Sequence, residues 1–310
     1  LEHLTRNIVH LKIIWSTEKP FQGHYTVHLL VTSHHGDVIT VGSRTYDART
    51  SWVAIIGDSF ASGEGNPDVP RHGEKEAQWI DDRCHRSSKS FASTVFSEIA
   101  AVTPTYLTFL ACTGATIENG ILEASKHASQ LDTLDSIATK RGRGPDIVIL
   151  TTGGNDIGFS DIINALVHDS ARFDVIFRNA SLRFFFVSHQ LDLVAKRLAA
   201  LGTKNVFVPQ YFDFTKNHHG EVDANCIASK ETMTFAERRI LRRLNLLLLK
   251  KGMEHGWHVA SGIPSLFAQH GICSSQSYIR SRSESIAMQG NTMGAFHPNE
   301  VGHLAVSNEI

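Results

Sequence analysis

From residue 51 onward, short apolar runs alternate with longer segments whose apolar positions recur at helical spacing, and few folds accommodate that alternation. Residues 52–56 (WVAII) form an uninterrupted apolar run closed by Gly57. Residues 106–111, 205–209 (NVFVP) and 257–260 read the same way, and 146–150 (DIVIL), introduced by Gly144-Pro145, is the clearest of the set. Apolar runs without polar alternation suit strands buried on both faces. Between them, residues 90–101, 130–140, 184–201, 232–253 and 300–309 carry helical patterns, as where Leu131, Leu134 and Ile137 share one face. The alternation predicts an α/β protein: a three-layer α/β/α sandwich around a mainly parallel sheet of about five strands.

Residues 1–50 read differently. Residues 25–31 (YTVHLLV) and 37–44 (DVITVGSR) are β-branched and partly alternating, with a turn expected at 34–36. The expected organisation is an N-terminal β extension, or the remnant of a β domain, over 1–50, followed by one α/β domain over 51–310.

Composition narrows the partners. Lys and Arg number 30 against 31 Asp and Glu, a net charge of -1, so no electrostatic excess points to nucleic acid. The longest aliphatic run, residues 246–249, is far short of the ~20 apolar residues of a membrane span. The chain opens at Leu1 with no leader pattern of basic, apolar and small residues. Four cysteines, Cys84, Cys112, Cys226 and Cys273, include no Cys-x-x-Cys pair, which argues against a zinc ribbon and leaves free thiols or two disulfides. The histidine doublets at 34–35 and 218–219 are a weak metal signal, since neighbours on a strand point to opposite faces.

In open α/β sheets, sites lie beyond the carboxyl ends of the strands. Three turns there carry small or polar residues: Gly57-Asp58-Ser59, Cys112-Thr113-Gly114 and Gly153-Gly154-Asn155-Asp156. A nucleophilic serine needs exposure, a base and donors for an oxyanion. Ser59 could provide the first, His297 the second, and the Gly114 N–H and Asn155 amide the third. Each piece alone also reads as an ordinary turn or loop residue. The segment from Gly57 to Gly65 lacks the lysine of a phosphate-binding loop, and Ala61 breaks the G-x-S-x-G elbow. His303, six residues past His297, is expected to be structural.

Taken together, Ser59, Gly114, Asn155 and His297 stand in four blocks, G-D-S, C-T-G, G-G-N-D and H-P-N, that resemble those of the SGNH (GDSL) hydrolases. The resemblance covers roughly residues 52–305. Cys84-His85-Arg86-Ser87, Cys112-Thr113-Gly114-Ala115 and the segment ending in Cys273 resemble the secreted, disulfide-containing esterases and lipases of that family. It implies a flavodoxin-like sandwich and hydrolysis of a carboxylic ester by a Ser59 nucleophile and a His297 base. The implied oxyanion donors are the Ser59 and Gly114 N–H groups and the Asn155 amide. It also implies Cys84–Cys112 and Cys226–Cys273 pairing, and hence an extracytoplasmic setting with any signal removed or outside this chain. Such chemistry needs no metal or organic cofactor, and its substrate would be a small-molecule, lipid or carbohydrate ester. An acyltransferase, or a silent binding module, would use the same scaffold.

One departure concerns the base. The family usually has Asp three residues before the histidine, and here that residue is Gly294. The expected orienter of His297 is a main-chain carbonyl of Gly294 or Ala295, with Glu300 a weaker candidate. Trp79, in an insertion-like stretch over 66–83, is equally a candidate for the pocket wall and for ordinary packing.

Overall fold

The computed structural model describes residues 23–32, 35–48, 50–125, 127–159, 161–162, 173–223 and 226–310. The chain divides into two compact units, Leu1–Thr50 and Ser51–Ile310. In the first, strands β1 (Gly23–Thr32) and β2 (Val38–Ala48) form an antiparallel ribbon whose register shifts at Leu29/Leu30. The turn expected at 34–36 includes His34, which lies outside the described residues, as do residues 1–22 of the expected extension.

The second unit is built on five strands, β3 (Ser51–Gly57), β4 (Thr105–Phe109), β5 (Ile147–Thr151), β6 (Asn205–Pro209) and β7 (His258–Ala260), in the order β4-β3-β5-β6-β7. Every pairing is parallel. Counted within this unit, the order is 2-1-3-4-5, the flavodoxin-like arrangement, and its direction reverses between β3 and β5. The sandwich is therefore as expected, with a sheet that is wholly parallel.

Burial explains the strand order. All side chains from Trp52 to Ile56 are completely buried, as are Val148, Ile149 and Leu150, so β3 and β5 hold the centre. The edge strand β4 leaves Tyr106 and Leu107 partly exposed. The Arg141 guanidinium covers that edge, 4.0 Å from the Tyr106 ring centre and 4.9 Å from that of Trp52.

The helices begin where the capping chemistry dictates. Short α1 (Ser59–Ser62) is capped by Asp58, α2 (Phe91–Val102) by Ser90 and α3 (Gln130–Arg141) by Ser129. Each cap side chain accepts a hydrogen bond from a first-turn N–H that has no helical partner. Helix α4 (Phe173–Ala200) starts eleven residues before the expected 184, because Leu182, Phe185 and Phe186 on its exposed face blur the amphipathic pattern. The single helix expected over 232–253 is α5 (Lys230–Phe235), a π-helical turn (Ala236–Leu241) and α6 (Arg242–His255). Short α7 (Ile263–Leu266) and α8 (Arg282–Gln289) were not legible, although Ser281 and Glu284 form a capping box on α8. The last helix, α9 (Glu300–Ser307), is capped by Asn299 and packs on α2, as α4 packs on α6.

His303 locks α9 to α2. Its ring is buried beside those of Phe60 and Phe91, and its Nδ1 accepts the Phe91 N–H at 3.1 Å. Burial first, then the charges of His297 and Arg280, push its pKa down to about 3. An unfolded histidine takes its proton near pH 6.5. Between those values the unfolded state binds one more proton than the folded state, so this residue destabilises the fold as pH falls. The expected cost between pH 7 and 4.5 is about 2–3 kcal/mol. His303→Gln, which cannot titrate, should flatten that part of the dependence in urea unfolding at the two pH values. Parallel losses in parent and variant would refute the assignment.

Candidate active site

Strands β3, β4 and β5 end side by side, and the residues just beyond them bring Ser59, Gly114 and Asn155 to one crevice at the reversal of strand order. The elbow after β3 depends on Gly57. Its φ is +134°, and a Cβ there would stand 2.2 Å from the Thr151 carbonyl oxygen of β5. Asp58 then ties the elbow together: its carboxylate accepts from the Phe60 N–H (3.0 Å), the Thr151 hydroxyl (2.7 Å) and the Tyr211 hydroxyl (2.5 Å). Tyr211 also accepts the Gly154 N–H at 3.1 Å, linking the ends of β3, β5 and β6. Burial and the adjacent Asp58 charge hold the Tyr211 phenol well above its ordinary pKa, so it remains a donor.

Ser59 and His297, 238 residues apart, meet with Oγ 2.8 Å from Nε2. The His297 Nδ1 lies 3.2 Å from the Ala295 carbonyl oxygen. This contact selects the tautomer with Nδ1–H donating and Nε2 facing the serine. Of the two expected carbonyls, that of Gly294 accepts the main-chain N–H of His297 instead, at 3.2 Å. Phe296 between them sits at φ +65°, an uncommon conformation for a non-glycine residue, pinned by paired backbone bonds with Arg280 on either side. The Asn155 amide donates one hydrogen to the Ala115 carbonyl at 2.8 Å. That bond fixes it against the turn bearing Gly114 and leaves its second hydrogen for a ligand.

The acids around His297 lie outside its own loop. Glu300 pairs with Lys89 at 2.9 Å on the surface, in the first turn of α9. A Cβ on Gly294 would stand 2.5 Å from the Gly65 Cα and 2.9 Å from Gln289 Oε1, so this backbone has no room for aspartate there. The buried acid is Glu64, whose carboxylate accepts from His85 Nδ1 and from Gln289 Nε2, both at 2.7 Å. Burial would raise its pKa, but the His85 hydrogen bond and the charges of His297 and His85 hold it below the usual range. Asp156 differs: burial pushes its carboxyl up to about 6, with Oδ1 accepting the Ile117 N–H. Asp58 is legible only as a polar turn residue, and neither Tyr211 nor Glu64 carries a role in the sequence alone. An isolated glutamate among small residues in Ser62-Gly63-Glu64-Gly65 was the available signal.

Beside Ser59 lies a cavity of about 710 Å³, with Phe159, Phe212, Ile227, Leu241, Ile272 and Phe296 in its wall and Arg282 and Ser283 contributing polar groups. Trp79 is not among its lining residues; it stacks on His85 with ring centres 4.6 Å apart. Two disulfides are formed, Cys84–Cys112 and Cys226–Cys273. The first removes the cysteines of the Cys84, Cys112 and His127 group from metal binding. Among the described residues the other group with suitable atoms is Asp192, Glu254 and His255, whose two carboxylates pair with the Lys251 ammonium while His255 bonds Asp192.

No family model matches the chain. Curated relatives include Lipase 1 of Streptomyces coelicolor, 26% identical over 239 residues (76% of this chain, 77% of the relative). A lipase of Streptomyces rimosus is 28% identical over 239 residues (75% and 76%). Among solved structures, phospholipase A1 of Streptomyces albidoflavus superimposes with a TM-score of 0.58 at 22% identity, covering 83% of this chain and 96% of the other. The extracellular lipase of Streptomyces rimosus gives 0.61 at 21%, with the same coverage. The chain thus shares its fold with these two solved structures and is similar in sequence to Streptomyces lipases.

The elbow yields a direct test. Tyr211→Phe leaves one buried Asp58 oxygen and the Gly154 N–H without a partner. The expected loss is about 1–3 kcal/mol in denaturant unfolding, with a fall in any Ser59-dependent activity. An unchanged midpoint would show that the hydroxyl does not hold the elbow.

Proposed function

We propose that this protein is a carboxylic ester hydrolase that works through a Ser59 acyl-enzyme. The observation that carries the reading is the 2.8 Å contact between Ser59 Oγ and His297 Nε2, at a strand-order reversal where Gly114 and Asn155 also converge. His297 accepts the hydroxyl proton as Ser59 attacks the acyl carbon. The negative charge developing on the former carbonyl oxygen falls to the Ser59 and Gly114 N–H groups and the free hydrogen of the Asn155 amide. His297 then protonates the departing alcohol and, in the second half-reaction, takes a proton from the attacking water. Residues already in this chain supply every proton transfer.

The apolar cavity wall supports an acyl chain of hydrocarbon character, and the lipase relatives point the same way. The two disulfides support an extracytoplasmic setting. Among the described residues no helix is long and apolar enough to cross a membrane.

Ser59→Ala is expected to cut turnover of a chromogenic ester by up to about 10⁶-fold with the fold retained. An organophosphonate should label the parent on Ser59 alone. Retention of more than a few per cent of activity, or label on another residue, would overturn the assignment.

Asn155→Ala is expected to lower kcat about 10²–10³-fold with little change in KM, as loss of one oxyanion donor does. A change confined to KM would make Asn155 a substrate-binding group instead.

A further inference from the structure

The loop that carries His297 lacks an acid, yet a buried acid holds that loop in place. Glu64 Oε1 accepts from the Gln289 side chain, whose own Oε1 accepts the Gly65 N–H at 3.0 Å and whose Nε2 also reaches Asn291 Oδ1 at 2.7 Å. Ser285 donates to the Asn291 carbonyl at 2.7 Å, and Asn66 donates to the Pro298 carbonyl at 2.8 Å. The segment 64–66 therefore grips both ends of the loop 290–298. It is also tied to the nucleophile, since the Glu64 N–H donates to the Ser59 carbonyl at 3.2 Å. The Gly65 Cα stands where a side chain at 294 would begin, so close packing of this segment displaces an acid at 294 and brings its own acid one residue away.

We propose that Glu64 is a positioning residue for His297: its buried carboxylate does for the base what an acid on the histidine loop would do, with His85 as the counter-charge that moderates it. The inference rests on the reading of Ser59 and His297 as nucleophile and base. When His297 takes the serine proton it becomes a cation. The Ala295 carbonyl offers it a dipole, and Glu64 offers a full negative charge in a water-poor setting where charge acts strongly. His85, half-buried, pairs with Glu64 Oε2 at 2.7 Å, and the Glu64 contact raises its pKa against the effect of burial. Among the described residues, the other titratable or charged groups facing this cluster are Asp82, towards His85; Arg280, which donates to the Gly65 carbonyl at 3.1 Å and to Asn66 Oδ1 at 2.9 Å; and buried His303, which feels the charges of His297 and Arg280.

Two variants separate this role from simple support of the fold. Glu64→Gln removes the negative charge, and His85→Asn removes the positive one. Asparagine suits position 85, where φ is +48°, because it tolerates the left-handed region. Ester hydrolysis is followed from pH 4.5 to 9 in the parent, both variants and a Ser59→Ala control, with thermal melts alongside. Activity requires His297 to be neutral in the free enzyme. Without Glu64 the acid limb of the kcat/KM profile should move to lower pH, with plateau kcat lowered about tenfold and KM little changed. Without His85 the unmoderated Glu64 charge should move the same limb to higher pH.

Loss of packing alone would not shift the two limbs in opposite directions. Limbs that stay at the parent's pH, or that move the same way, overturn the inference. Should Glu64→Gln not fold, His85→Asn decides alone: a limb that fails to rise overturns it. A parent without Ser59-dependent turnover would overturn the hydrolase reading and this inference with it. Ser59-dependent turnover with unmoved limbs would overturn this inference only.

Discussion

The carboxylate of Asp58 is the bond on which the site's geometry depends. A strand ending in a serine is not a nucleophile unless the chain turns sharply enough to lift the hydroxyl clear of the sheet. Gly57 permits that turn, and Asp58 makes it the stable one, capping α1 while receiving hydroxyl protons from Thr151 on β5 and from Tyr211 after β6. Three strand ends are held against one buried anion. Charge-assisted hydrogen bonds of this kind are roughly twice as strong as neutral ones, and removing a partner leaves a charge that the interior cannot solvate. The position of Ser59 follows from the sheet through this anchor.

The candidate base is held by a different device. His297 sits in a loop with no regular structure, and its ring is oriented by a main-chain carbonyl that Phe296 aims by adopting a positive φ. Such a conformation persists only where the surroundings impose it. Here Arg280 imposes it, through its backbone on both sides of Phe296 and its guanidinium on the Gly65–Asn66 segment. The elbow is therefore fixed around one ion, whereas the His297 loop is fixed by many contacts, charged and neutral together.

The sheet was legible because its central strands are buried on both faces, so runs such as 52–56 and 146–150 carry no polar interruption. Ser59, Gly114, Asn155 and His297 were legible because each lies in a short block of distinctive composition. What escaped were groups whose importance depends on distant partners. Tyr211 is one tyrosine in a loop until Asp58 lies beside it. Glu64 is one acid in a glycine-rich turn until His85 and Gln289 close around it, and Trp79 is open between pocket wall and packing until it stacks on His85. The break between α5 and α6 escaped for another reason, since a π-turn preserves the apolar stripe that marks a continuous helix.

The 238-residue interval between Ser59 and His297 has a consequence for how such a chain is made. Domains acquire long-range contacts only after the intervening segments exist. The segment bearing His297 and helix α9 leaves the ribosome after all five strands of the sheet and both disulfide-forming pairs. Until it docks on α2, the elbow presents a serine with no proton acceptor. A growing polypeptide of this sequence therefore holds Ser59 apart from its partner until residues 290–307 have emerged, and the Ser59–His297 contact arises in one step when that segment docks.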